Sequence, residues 1–166
     1  MDKDSDSAFY YLNRGKELFH LRNDSFGLGK SLANMAIIQE KEGDNFGSIE
    51  TSLLAGEYFN QKDTAQHGFL FSYYNNLGVA SANLKNYEDA KRFYNKAFDF
   101  TKDPIDKMAL ANNIAIIFHN TKRYDKAIDI YTKLLDRVGN KSEFYSKLLL
   151  NFSRSKWFAD KNYNPV

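Results

Sequence analysis

The chain has 166 residues, 43% of them hydrophobic and 27% charged, enough to build the core of one domain or a short repeat array. It has no cysteine, which excludes disulfides, thiolate-bound zinc and a cysteine nucleophile; two prolines and nine glycines are too few for a turn-rich all-β chain. The net charge of +2 is too small to argue for nucleic acid, although residues 1–60 carry −4 and residues 61–166 carry +6.

The opening, MDKDSDSAFY, lacks the basic and apolar stretches of a secretory signal. No run approaches the roughly 18 apolar residues that a membrane span needs. As written, the chain reads as soluble and cytoplasmic, without membrane contact; a trimmed chain would also suit the periplasm. Polar breaks at Glu42-Gly43-Asp44-Asn45, Lys85-Asn86, Thr121-Lys122-Arg123 and Gly139-Asn140-Lys141-Ser142 divide it. Asp103-Pro104 suits a helix start, with Asp as cap and Pro in the first turn. Ser142 can cap the helix that follows it. The pattern predicts eight helices, at 6–22, 25–42, 45–60, 63–84, 87–101, 104–121, 124–138 and 142–159. No segment alternates with the period of a strand.

Similar wording recurs along the chain. SLANMAIIQEKEGDNF (31–46), YYNNLGVASANLKNY (73–87) and LANNIAIIFHNTKRY (110–124) align, and LLNFSRSKWFADKNY (149–163) is a weaker copy. Each runs through an Asn-bearing apolar helix to a polar break and an aromatic: Phe46, Tyr87, Tyr124 and Tyr163. A second helical pattern follows the first three aromatics. Tyr87, Ala90, Tyr94 and Ala97 share one face, as do Tyr124, Ala127, Tyr131 and Leu134. Phe46, Ile49, Leu53 and Gly56 are read as their first-copy equivalents. Ala8, Leu12 and Gly15 repeat that set 41 residues earlier. A helix pair of this kind cannot bury its apolar face alone and needs a stacked neighbour.

Tyr74, Leu77-Gly78, Ala90, Tyr94 and Ala97 resemble the tetratricopeptide repeat, as do Ile114-Ala115, Phe118, Ala127 and Tyr131 in the next copy and Met35-Ala36 in the first. Ser81 and Lys102 depart from the pattern, and the copy around Ser153-Arg154 matches poorly. The resemblance implies an all-α chain, an α-α superhelix of antiparallel helix pairs. Residues 1–166 then form one array: a partial repeat at 6–24, full repeats at about 25–62, 63–102 and 104–140, and a partial repeat at 142–166. An array that opens on a second helix and closes where another should begin reads as part of a longer protein. The Asn/Lys/Tyr-rich wording resembles such regions in bacterial signalling proteins.

Asn34, Asn75-Asn76, Asn112-Asn113 and Asn151 occupy matched places on the first helices. Asn is a poor mid-helix residue, so its repetition asks for a reason. An amide offers a donor and an acceptor and can bracket a peptide group of an extended ligand. The resemblance to the kinesin light chain repeats places Asn34, Asn76 and Asn113 in the concave groove, with Phe152 ending the ladder. The alternative is that these amides bond neighbouring helices and fix repeat geometry. One turn on, Ile37, Val79 and Ile116 are candidate pockets, followed by Lys41, Asn83 and Asn120. Lys30 could meet a ligand carboxylate, but Ser72 and Ala109 at its matching places do not reproduce the clamp of chaperone-tail repeats.

His20, His67 and His119 are scattered and have no metal-ligand spacing. No GxSxG elbow occurs. Gly27-Leu28-Gly29-Lys30-Ser31 lacks the first glycine of a phosphate loop, since residue 24 is Asp24, and no strand precedes it. Trp157-Phe158 reads as a surface awaiting the next repeat. No catalytic residue, metal site or cofactor is expected. The expected function is a non-catalytic module that holds a protein or peptide segment in its groove, with nucleic acid excluded. The competing reading is a scaffold that self-associates through exposed repeat ends.

Overall fold

The computed structural model describes the backbone of residues 3–139 and 142–162, and side chains within 6–139 and 142–161. The described residues form eight α-helices and no strand: α1 (Lys3–Leu21), α2 (Ser25–Lys41), α3 (Asn45–Gly56), α4 (His67–Asn83), α5 (Tyr87–Phe98), α6 (Pro104–Asn120), α7 (Tyr124–Leu135) and α8 (Glu143–Asn162). All eight expected helices are present, and most ends fall within three residues of expectation. The fourth aromatic, Tyr163, where a further second helix was expected to begin, and the loop residues Asn140-Lys141 lie outside the described residues.

Short acidic or amide side chains set the helix starts. Asp24, Asp44 and Asn86 accept from the third residue on, Gly27 (2.8 Å), Gly47 (2.9 Å) and Asp89 (3.4 Å). Asp103 accepts from Ile105 at 2.7 Å with Pro104 in the first turn, and Ser142 caps α8 by accepting from Tyr145 at 3.0 Å. Each such cap stabilises its helix by roughly 1 kcal/mol. The turns inside the pairs place Gly43, Lys85 and Lys122 at positive φ, where the chain must reverse within three residues.

The chain divides into two compact units, Met1–Thr101 and Lys102–Val166. The first unit holds α1 to α5. Its helix pairs are α2/α3 and α4/α5, and in α4/α5 a small residue lies opposite a large one. A side chain on Gly78 would collide with the Tyr94 ring, so glycine there lets α5 approach α4. Ala90, Tyr94 and Ala97 are buried, as the repeat pattern requires. Between α3 and α4, residues 57–66 do not continue the helix as expected. They fold back as the Asn60 backbone N–H donates to Gln66 Oε1 (2.9 Å) and the Lys62 backbone N–H donates to Asn60 Oδ1 (3.0 Å), and end in a single 3-10 turn, Thr64–Gln66.

One expectation of register is corrected. The buried residues of α3 are Ser48, Ser52 and Ala55, and Phe46 and Leu53 are 72% and 52% exposed. Ser48, Ser52 and Ala55 each lie 42 residues before Ala90, Tyr94 and Ala97, as do Asp44 before Asn86 and Asn34 before Asn76. The alignment through Phe46, Ile49, Leu53 and Gly56 is therefore one residue out. Hydroxyl side chains fill the buried face, and the larger apolar residues face outward.

The second unit holds α6, α7 and α8. Ala115, Ala127, Tyr131, Leu134 and Leu148 form its core, with Phe118, Phe144 and Phe152 against it. Phe152 packs here as core. On α8, Phe158 stacks on Tyr124 (5.7 Å between ring centroids) and meets His119 edge-on, whereas Trp157 is half exposed with Lys161 4.0 Å over its ring. Of the two residues expected at an open surface, Trp157 fits that place better.

Candidate peptide-binding faces

In the first unit the candidate residues lie on α2 and α4. Asn34 is exposed and Asn76 half-buried at equivalent positions. Among the described residues neither side-chain amide has a hydrogen-bond partner. Asn75, beside Asn76, is half-buried. Ile37 and Val79, one turn on, are half-buried, so part of each apolar side chain remains open.

Two turns on, Asn83 behaves differently. Its amide donates to Glu40 Oε1 and to Asn45 Oδ1, both at 3.0 Å. It links α4 to α2 and to the start of α3. Lys30 does not stand alone either. Its ammonium lies 4.8 Å from the centre of the Phe26 ring and 5.4 Å from that of Phe69. Those rings begin a run of aromatic contacts through Phe59, Tyr73 and Tyr74 to Phe100. Burial beside Tyr74 pushes the Tyr73 hydroxyl up to about 12, so this run stays uncharged at physiological pH.

In the second unit α6 carries Asn112, Asn113, Ile116 and Asn120. The first three are half-buried and Asn120 is exposed. Asn151 on α8 donates to Asn112 Oδ1 at 3.4 Å, a contact between helices. The asparagines therefore serve two purposes. Asn83, Asn112 and Asn151 join helices, whereas Asn34 and Asn76 keep their amides open.

Ile116 and Asn120 also line a cleft of about 130 Å³, with His119, Tyr131, Asn151 and Arg154. His119 Nδ1 lies 2.9 Å from Ser155 Oγ, which donates to the Asn151 carbonyl at 2.9 Å. The hydroxyl proton is thus committed, so His119 donates from Nδ1 and keeps Nε2 as an acceptor. Burial, and secondarily the Arg154 guanidinium, hold the His119 pKa below its usual value. The sequence left Arg154 outside the site because the last copy departs from the repeat pattern there, and His119 because it has no partner at metal-ligand spacing.

The other histidines are structural or exposed. His67 meets Phe100 edge-on, and His20 lies on the exposed side of α1. Gly27 and Gly29 are helical residues of α2, packed against Phe19 and against Tyr58 and Phe59. Among the described residues no three metal-binding side chains gather, and no helix is long and apolar enough to cross a membrane.

The tetratricopeptide repeat model matches residues 71–104 and 110–137, which span α4/α5 and α6/α7. These two segments are tetratricopeptide repeats. The chain is also similar to the photosystem I assembly protein Ycf3 of Prochlorococcus marinus subsp. pastoris, 26% identical over 85 residues. That match covers 51% of this chain and 49% of the relative, so the chain spans about half the length of that protein. Among solved structures, BtubC (BKLC) from P. vanneervenii superposes with a TM-score of 0.68 at 18% identity, over 94% of this chain and 67% of that one. The fold is all-α, of the α-α superhelix class. Tetratricopeptide repeats are in general protein-interaction modules and non-catalytic.

Proposed function

We propose that the chain is a non-catalytic docking module that holds an extended peptide segment along its first-helix faces, the concave side in this repeat class. The observation that carries the reading is the pair Asn34 and Asn76. They occupy equivalent places on α2 and α4, cost helix propensity there, and keep both amides without an internal partner among the described residues. Amides so placed suit the peptide groups of a ligand. The open parts of Ile37 and Val79 would take its side chains. In the second unit, taken by itself, Ile116 and Asn120 offer like groups on α6, with Asn113 beside them. Asn75 and Asn112 serve as neighbours that set the helix faces, and Asn83 as a strut. That the relative is named for assembly of another complex fits a module that handles protein partners. Docking within a bacterial signalling protein rests on the style of the sequence.

The test is selection of peptides from a random library on the wild-type chain, followed by affinity measurement with an Asn34→Ala/Asn76→Ala variant. Two lost bonds to peptide groups, each about 1 kcal/mol, weaken binding by roughly tenfold or more while helicity is retained. Equal affinity for the folded variant would sink the reading.

A second reading is supported by exposed apolar side chains on the terminal helices: Tyr10, Tyr11, Leu18 and Leu21 on α1, and Leu149, Leu150 and Trp157 on α8. These would let copies associate through their ends. Sedimentation over a hundredfold concentration range separates the two, since the docking module stays monomeric and the scaffold does not.

A further inference from the structure

We infer that a cleft between α1 and α3 in the first unit binds a small amphipathic anion, an unbranched chain of about eight carbons with an anionic head. None of the asparagines assigned to peptide lines this cleft, so the site stands apart from the docking reading.

The cleft follows from how three helices pack. α1 and α3 each pack on α2 and not on one another, which leaves a furrow between them. Leu28 and Leu32 of α2 line it, with Leu54 of α3 and Tyr58 just beyond that helix. The next repeat shows what fills such a space. Forty-two residues on, Tyr74 stands in the place of Leu32 and Phe100 in that of Tyr58, and those two rings stack at 5.4 Å between centroids. Leu32 is shorter than a tyrosine, and a cleft of about 270 Å³ remains. A water takes about 30 Å³ of bulk liquid and a methylene is of similar size, so about eight carbons and part of a head fit.

The lining is divided by polarity. Its apolar groups come from α2, α3 and Tyr58, whereas α1 contributes Lys16, Glu17 and His20. No side-chain amide lines the cleft, so nothing there brackets a peptide group as Asn34 and Asn76 can. Glu17 is the one acid of the lining, and Arg14 holds its carboxylate at 3.0 Å. Lys16 is half-buried, and no carboxylate among the described residues pairs with it. The charge left over on that wall is therefore positive. Apolar walls with one unpaired cation at the edge suit a ligand that is apolar along its length and anionic at one end. A cation or a neutral alcohol of the same length lacks that partner.

The test titrates the full chain, with labelled leucine methyls followed by NMR, against octanoate, octanol, octylammonium and acetate. The methyls of Leu28, Leu32 and Leu54 should shift and saturate with octanoate. Octanol should bind roughly fivefold more weakly, octylammonium more weakly still, and acetate should shift none of them. Each methylene added between hexanoate and octanoate should tighten binding roughly threefold. Lys16→Gln should bring octanoate down to the level of octanol. Leu32→Tyr, which copies Tyr74, should abolish binding, with helical circular dichroism checking that both variants fold. Equal hold on the three octyl compounds, shifts confined to leucines outside the cleft, or undiminished octanoate binding by Leu32→Tyr would overturn the inference. Undiminished binding by Lys16→Gln would overturn it as well, and this variant decides the matter if Leu32→Tyr does not fold. Shifts of the same methyls on concentrating the chain alone would give the cleft to a second copy and overturn the small-ligand site.

Discussion

Helices α3 and α5 hold the same place in successive repeats but are built from different residues. On α5 the buried face is Ala90, Tyr94 and Ala97, and the large Tyr94 ring lies over Gly78. On α3 it is Ser48, Ser52 and Ala55. Ala36, which precedes Gly78 by 42 residues, is fully buried. One pair is therefore held by an aromatic wedge, and the other by small side chains that let the helices meet directly. The repeat constrains where the packing face lies more tightly than it constrains what fills it.

That difference can be broken from either side. The largest expected effect is at Tyr94. Truncation to Ala removes a buried ring opposite a glycine that cannot fill the space, and should cost about 3 to 5 kcal/mol in denaturant unfolding. Ser48 should respond in the opposite sense. Its Oγ is buried and has no partner among the described residues, while Ala90 and Ala127 stand at the equivalent places. Ser48→Ala should therefore raise stability by about 1 kcal/mol, read from the unfolding midpoint. The smallest effect is expected at Phe46, which the aromatic alignment would make a core residue. It is 72% exposed, and Phe46→Ser should change stability by less than about 0.5 kcal/mol. A loss of several kcal/mol there would restore the register read from the aromatics.

The sequence made the helices legible because the breaks are chemically distinct: Asp24, Asp44, Asn86 and Asp103 cap, and the reversals need positive φ. The register of α3 was misread because large apolar residues were taken as the buried ones. Ser48 and Ser52 carry no hydrophobic signal, and only the cap Asp44 marked the true phase. The candidate site was legible in residue type but not in use. Nothing in the sequence separates Asn83, bonded to Glu40 and Asn45, from Asn34 and Asn76; that distinction arises from which helix each amide reaches. Arg154 escaped notice because it breaks the repeat pattern, and such a break invites neglect just where a pattern no longer constrains the residue.

The central claim is that open amides on α2 and α4 meet the ligand. It is tested most directly by NMR of the side-chain amides of selectively labelled asparagines during titration with a peptide selected on the wild type. The Asn34 and Asn76 amides should shift and saturate together, while Asn83, held by Glu40 and Asn45, should move little. Saturating binding that leaves Asn34 and Asn76 unmoved, with the Trp157 indole responding instead, would contradict it and place recognition on the terminal helix.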